Sequence, residues 1–146
     1  MQPSLLHRLK NIKQCESYLY HTHNKNYDVV NTLITDLFLL FSSRPLISGA
    51  EHNETVGTSV LNYGVRIVDN SKMNDSRELI QKKIEENILH AIHLYEKRLC
   101  NVTIEQYRTT AEKISFKVCG FFFNILVSFI VSWEISAASY SLNIIR

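Results

Sequence analysis

Closely spaced cysteines are missing from this sequence, and their absence excludes two ways of holding a small fold together. Cys15, Cys100 and Cys119 are far apart, odd in number and never in a Cys-x-x-Cys spacing. A zinc site or a disulfide framework is therefore not expected, and a reducing compartment is the natural reading. Charge of one sign is lacking too. The 16 Lys and Arg nearly balance the 14 Asp and Glu, leaving +2, without the basic stripe of a phosphate-backbone binder. Nucleic acid is not an expected partner. No Gly-x-Ser-x-Gly, P-loop or dinucleotide fingerprint occurs, and there is no repeat or low-complexity tract. No cofactor or small-molecule substrate is expected in consequence. The opening "MQPSLLHRLKNIKQC" has neither the apolar core nor the small-residue cleavage site of a secretory signal. The glycosylation patterns at Asn53, Asn74 and Asn101 are accordingly expected to be chance matches.

What is present suits one domain. A chain of 146 residues with 45% hydrophobic content can bury one core without staples. From Val118 to Trp133, "VCGFFFNILVSFIVSW", no charge occurs. The run lies between Lys117 and Glu134, carries Asn124, Ser128 and Ser132, and falls short of the roughly 20 apolar residues of a transmembrane helix. Its Phe, Val and Ile suit buried strands. A membrane anchor is the competing reading.

Hydrophobic period divides the chain. "SLLHRLKNI" sets Leu5, Leu6, Leu9 and Ile12 on one side of a short helix, with Ser4 as its cap. Residues 14 to 27 lose that period and read as a linker, so 1–27 is a short helix plus linker and 28–146 a single domain. Asp28 can cap a helix with the stripe Val30, Leu33, Ile34, Leu37, Phe38 and Phe41, ending near Arg44 because Pro45 follows. Leu39 and Leu40 add a second apolar side, which predicts a helix sandwiched in the core. Residues 46–58 read as a loop and "SVLNYGV", 59–65, as a turn. Asp75 and Glu78 have capping-box spacing ahead of a helix striped by Ile80, Ile84, Ile88, Ala91, Ile92 and Tyr95.

The period then becomes two. Alternation over Val102 to Tyr107, then Ile114, Phe116, Val118 and Phe121 to Phe123, predicts two strands; "IVSWEIS" and "SYSLNII" predict two more. Helices followed by an antiparallel meander make an α+β fold, a small sheet packed on helices. At the change of period stand Glu96, Lys97 and Arg98. Side chains two apart diverge by about 200° on a helix and share a face on a strand. With the helix ending near Tyr95, Glu96 and Arg98 are expected side by side over the sheet, with Lys97 directed away. An ordinary exposed ion pair worth about 0–1 kcal/mol is the alternative.

"YEKRLCNVTIEQY" resembles the Glu-Pro-Arg-Leu junction of the TssE family, small baseplate subunits of bacterial type VI secretion systems related to the gene-product-25 wedge proteins of contractile phage tails. Other segments agree in order: "PSLLHRL" near the N-terminus, "DLFLLFSSRP" against the family's Leu-Leu-Asn-Thr-Arg helix end, "SVLNYGV" against Ser-Val-Leu-Asn-Tyr-Gly, and "ISFKVCGFF" at the next strand. The match spans most of the chain. It implies a gene-product-25-like wedge fold and a non-catalytic joint between baseplate and sheath that helps to initiate sheath assembly. Implied partners are TssF, TssG and TssK with the sheath proteins TssB and TssC, at six copies per baseplate. The implied location is the cytoplasm, in a baseplate docked at the inner face of the inner membrane. The partner-binding positions it implies are Glu96, Lys97, Arg98, Leu99 and Arg44. Two departures stand out. Lys97 replaces the family's proline, which would hold Glu96 extended, so packing or a partner must impose that conformation; and "LLFSSR" alters the helix end. On this reading Arg98→Glu abolishes assembly with TssF–TssG and leaves the monomer folded.

A phage-tail or other contractile-injection wedge is the variant within that class. The rival class is a lysozyme-like glycoside hydrolase, which needs two carboxyls about 5–5.5 Å or 6.5–9.5 Å apart across a cleft. Glu51, Glu54, Glu85, Glu86, Glu96, Glu105 and Glu112 allow many pairings and single out none. His21-x-His23 and His90-x-x-His93 lack a third ligand nearby, so no metal is expected. Cys100 and Cys119 read as small buried hydrophobes.

Overall fold

A computed structural model describes residues 25–45, 62–68 and 76–145. The N-terminal helix expected over Ser4 to Ile12, the 46–58 loop, Cys15 and the His21/His23 pair lie outside them. The elements are α1 (Lys25–Ser42), α2 (Arg77–Tyr95), β1 (Leu99–Thr109), β2 (Lys113–Phe122), β3 (Ile125–Glu134) and β4 (Ser139–Ile144). The chain divides into two units, Met1–Leu37 and Phe38–Arg146.

α1 starts at Lys25, ahead of Asp28. Asp28 thus lies within the helix and is not its cap. Of the first unit's described residues, Leu33 and Leu37 are buried. In the second, Leu40 and Phe41 are buried while Phe38 is 57% exposed and Leu39 is exposed too. The expected sandwich is not formed, because consecutive positions diverge by about 100° and only one side is covered. The helix stops before Pro45, as its geometry requires. The Ser42 and Ser43 hydroxyls donate to the carbonyls of Phe38 (2.7 Å) and Leu39 (2.6 Å), four residues back along the last turn, and the Leu39 carbonyl also accepts from the Ser43 N–H.

α2 is capped by Ser76, without a side-chain cap hydrogen bond. The Asp75–Glu78 capping box is therefore off by one residue: the Ser76 carbonyl accepts the first helical bonds, from Leu79 and Ile80. Ile84, Ile88, Ala91 and Ile92 are buried along one side. Lys82, Lys83, Glu86, His90 and His93 are exposed. At the helix start the Arg77 guanidinium donates to the Thr110 carbonyl, and Gln81 Nε2 donates to Thr109 Oγ1 at 3.3 Å. α2 therefore runs down to its C-terminus alongside β1, which returns in the opposite direction.

The four strands form one antiparallel sheet in the order β1-β2-β3-β4, so the described residues make an α+β fold of two helices and a four-stranded meander. Ile114, Phe116, Val118 and Phe122 of β2 are buried, as are Val127, Phe129, Val131 and Trp133 of β3. Register sets Ile114 opposite Trp133, Phe116 opposite Val131 and Val118 opposite Phe129, so one face carries the core. Burying each such side chain contributes about 1.5–3 kcal/mol. The opposite face is mostly polar; there Ser115 and Ser132, directly paired, share a 2.9 Å hydrogen bond.

The uncharged stretch is the β2–β3 hairpin, with β3 starting at Ile125, earlier than the sequence pattern indicates. Its two turn residues, Phe123 and Asn124, have φ of 48° and 66°, the left-handed pair of a type I′ turn that suits the twist of the flanking strands. A phenylalanine in the first position disguises that turn. Among the described residues, no helix is long and apolar enough to cross a membrane.

β1 is an edge strand with an extra residue at two places, between Cys100 and Thr103 and between Gln106 and Arg108. The first bulge includes Asn101 at φ 51°. Such bulges twist an edge and interrupt pairing with another chain.

At the other side of the sheet the Tyr140 ring meets Trp133 (4.7 Å between centroids) and Phe41 (6.2 Å). Its hydroxyl donates to the Arg66 carbonyl at 3.1 Å, which also accepts from Asn87 Nδ2 at 3.3 Å. Burial raises the Tyr140 pKa, with the Asn87 hydrogen bond pulling the other way. Below pH about 10, folded and unfolded chains both hold this proton and the full stability is present. Above it the unfolded chain releases the proton while the buried phenol keeps it, so stability falls by up to about 1.4 kcal/mol per pH unit. Urea midpoints should drop between pH 8.5 and 11 (on the order of one to two units around the phenol value), and Tyr140→Phe should flatten that drop.

Candidate functional site

The corner joining α2 to β1 is built by backbone before any side chain. α2 ends at Tyr95, and Glu96 follows with φ −118° and ψ 65°. The Glu96 N–H donates to the Ile92 carbonyl at 2.8 Å, and the Glu96 carbonyl accepts from Leu99 N–H at 3.1 Å. Lys97 and Arg98 are thus the central residues of a turn that delivers Leu99 directly into β1. Glu96 and Arg98 do not lie on a strand, as the change of period implied, but within that turn, Glu96 as its first residue and Arg98 as its third.

They still meet. Arg98 Nε donates to Glu96 Oε1 at 2.6 Å and Nη2 donates to Oε2 at 2.5 Å, a two-pronged pair. The Arg98 backbone N–H approaches Oε1 at 3.4 Å. The guanidinium also stacks over the Phe122 ring, 5.6 Å from its centroid. This is no exposed pair: Glu96 is 4% exposed, and a quarter of the Arg98 side chain (25%) reaches solvent. With ψ at 65°, Glu96 is not in the extended geometry that a proline at 97 would have favoured; the turn hydrogen bonds of Glu96 and Leu99 hold it instead.

Glu96 and Leu99 are buried and Lys97 is exposed. Leu99 packs against Gly120, where an added Cβ would come within 2.9 Å of the Leu99 side chain. The Glu96 carboxylate is already spent inside the chain, so the corner presents positive charge outward. The expectation for Arg98→Glu changes accordingly. Two carboxylates would share one buried site, and loss of the fold, not of assembly alone, is the expected result.

Arg44 is not brought to this corner. Its Nη2 donates to the carbonyls of Ala138 (3.3 Å) and Ala137 (3.5 Å), in the β3–β4 turn. That turn is at the opposite end of β3 from the β2–β3 turn, beside which Leu99 pairs with Phe122.

Three separated sequence segments converge near the end of α2. Gly64 has φ +131°, and a Cβ there would sit 2.4 Å from the Ser43 carbonyl oxygen. The Tyr95 hydroxyl donates to the Asn62 carbonyl at 2.6 Å. The Tyr63 and Tyr95 rings meet edge to face at 5.0 Å. Burial raises the Tyr95 phenol pKa, while the charge of Arg66 opposes that shift. The contribution of Asn62, Tyr63 and Gly64 was not read from the sequence as part of this site; the signals were the glycine near the end of the "SVLNYGV" turn and the resemblance of that segment to a family motif.

The Glu96 carboxylate is held by Arg98, and Glu134 lies 3.9 Å from Lys113 across the sheet. Glu51 and Glu54 lie outside the described residues. Among the described residues, no three His, Cys, Asp or Glu side chains gather as a metal-holding group. Cys100 is exposed rather than buried, and Cys119 is half-buried. No protein-family model matches the chain, and neither a curated protein nor a solved structure does.

Proposed function

We propose that this chain is a non-catalytic baseplate component of the TssE and gene-product-25 kind, a wedge that joins a baseplate to a contractile sheath. One observation carries the proposal. The segments "LLFSSR", "SVLNYG" and "YEKRL", which resemble the family's motifs, are in contact with one another through Ser43, Gly64, Asn62, Tyr63 and Tyr95. The third of them closes on its own Glu–Arg pair at the step from helix to sheet. Residues far apart in sequence that share one packing unit are what a common architecture requires, whereas scattered chance matches have no reason to touch. The reading places the chain in the cytoplasm at the inner face of the inner membrane, with TssF, TssG, TssK, TssB and TssC as partners.

The test is co-expression with TssF, TssG and TssK from one secretion system, followed by size-exclusion chromatography. A stable complex containing this chain supports the proposal. Elution of the folded chain by itself, while TssF, TssG and TssK form their own complex, overturns it. Assembly with the wedge proteins of a phage tail in place of TssF–TssG would move the chain to the sister class.

A further inference from the structure

The mostly polar outer face of the sheet carries one apolar row. Cys100 of β1 pairs with Phe121 of β2, and Phe121 pairs with Leu126 of β3. The three therefore stand side by side across the strands, alternating with the core residues Phe122 and Val127. All are exposed, Phe121 at 43% and Leu126 at 65%. Phe123, in the adjoining turn, is exposed as well and sits at φ 48°. That conformation costs a bulky side chain of order 1–3 kcal/mol where asparagine or glycine would be at ease. The next row inward, Thr103, Cys119 and Ser128, is small and polar. Lys97, exposed, lies in the turn leading into the row, and the acid beside it, Glu96, is buried against Arg98.

We propose that this row is the docking surface for an amphipathic helix of a partner protein, whose apolar stripe crosses β1, β2 and β3 and whose carboxylate pairs with Lys97. Two inter-strand steps span about 10 Å, the width of one helix. Charge complementarity selects the partner: the corner presents an ammonium and part of a guanidinium, with no exposed acid among residues 96–101 or 119–128. A second copy of this chain laid on the same row would bring no carboxylate to Lys97. A lipid surface gains only about 1 kcal/mol per cation, too little from this corner to hold a face whose next row is polar. The proposal rests on the baseplate reading and adds to it where, and with what chemistry, the chain is held.

The experiment uses the full chain co-expressed with TssF and TssG. Leu126→Asp should reduce co-purification by roughly tenfold or more, as truncating a central apolar anchor does. Lys97→Glu should reduce it less and in a salt-dependent way. Asn143→Asp, on the same face away from the row, should have no effect. Maleimide labelling of Cys100 in the unmodified chain, read by mass spectrometry, should be blocked in the complex; this measurement does not depend on any variant folding. If the unmodified chain joins TssF–TssG while Cys100 stays fully reactive and Leu126→Asp still assembles, the docking surface is wrong and the baseplate reading stands. If the unmodified chain fails to join, both fall. Leu126-dependent sedimentation with phosphatidylglycerol vesicles, or a Leu126-dependent dimer in light scattering, would overturn the proposal in favour of a lipid or a second copy.

Discussion

Arg98→Met should destabilise the folded chain by about 3 kcal/mol, read as a lower urea midpoint with an unchanged slope. The cost comes from what is left behind. Glu96, 4% exposed, keeps a carboxylate that has lost both prongs of its fork, and a buried charge without a partner is far costlier than a missing surface pair. Glu96→Gln should cost less, about 1–2 kcal/mol, since the partly exposed guanidinium can turn to water. The double variant Glu96→Gln/Arg98→Met should be more stable than the sum of the singles predicts, because it removes both charges together. Arg98→Lys should not restore the loss, since an ammonium cannot supply the two parallel N–H bonds made at 2.6 Å and 2.5 Å. Strict additivity in that cycle would show that the fork contributes nothing to the corner.

Gly64→Ala is expected to be comparably severe, about 3 kcal/mol or more, for a different reason. Its φ of +131° is a conformation that L side chains rarely adopt, and the added methyl would meet the Ser43 carbonyl carbon and oxygen at 2.7 Å and 2.4 Å. Both obstacles are backbone, so neither can swing aside. Gly120→Ala is the instructive contrast. There the nearest atom belongs to the Leu99 side chain, at 2.9 Å, and φ is ordinary; a rotamer change can relieve much of the overlap, for a cost of about 1 kcal/mol. Thermal melts of the two variants should separate widely. Equal losses would mean that the approach of residue 64 to the end of α1 is not a constraint on the fold.

The helix-to-sheet change was legible because it rests on local period. Isoleucines at helical spacing from Ile80 to Ile92 and alternation from Val102 onward place α2, β1 and the bend between them, although β1 starts three residues earlier, at Leu99. The start of α1 and the cap of α2 were misplaced, since several polar residues in a row can each begin a helix. The β2–β3 turn was hidden for a related reason: Phe123 and Asn124 lack the glycine that usually announces left-handed backbone. Exposure of Phe38 and Leu39 was not legible either. Which apolar side of a helix is covered depends on neighbours brought from elsewhere in the chain.

The sequence by itself determined the α+β class, the order of helices and strands, and the meeting of acid and base at the end of α2. These follow from spacing along a few consecutive residues. Only the tertiary structure decided that Glu96 and Arg98 face each other in a buried fork, that Arg44 serves the far turn, and that Cys100, Phe121 and Leu126 form one exposed row. Burial and cross-strand register are set by residues distant in sequence. No local pattern encodes which face of a side chain the rest of the fold will cover.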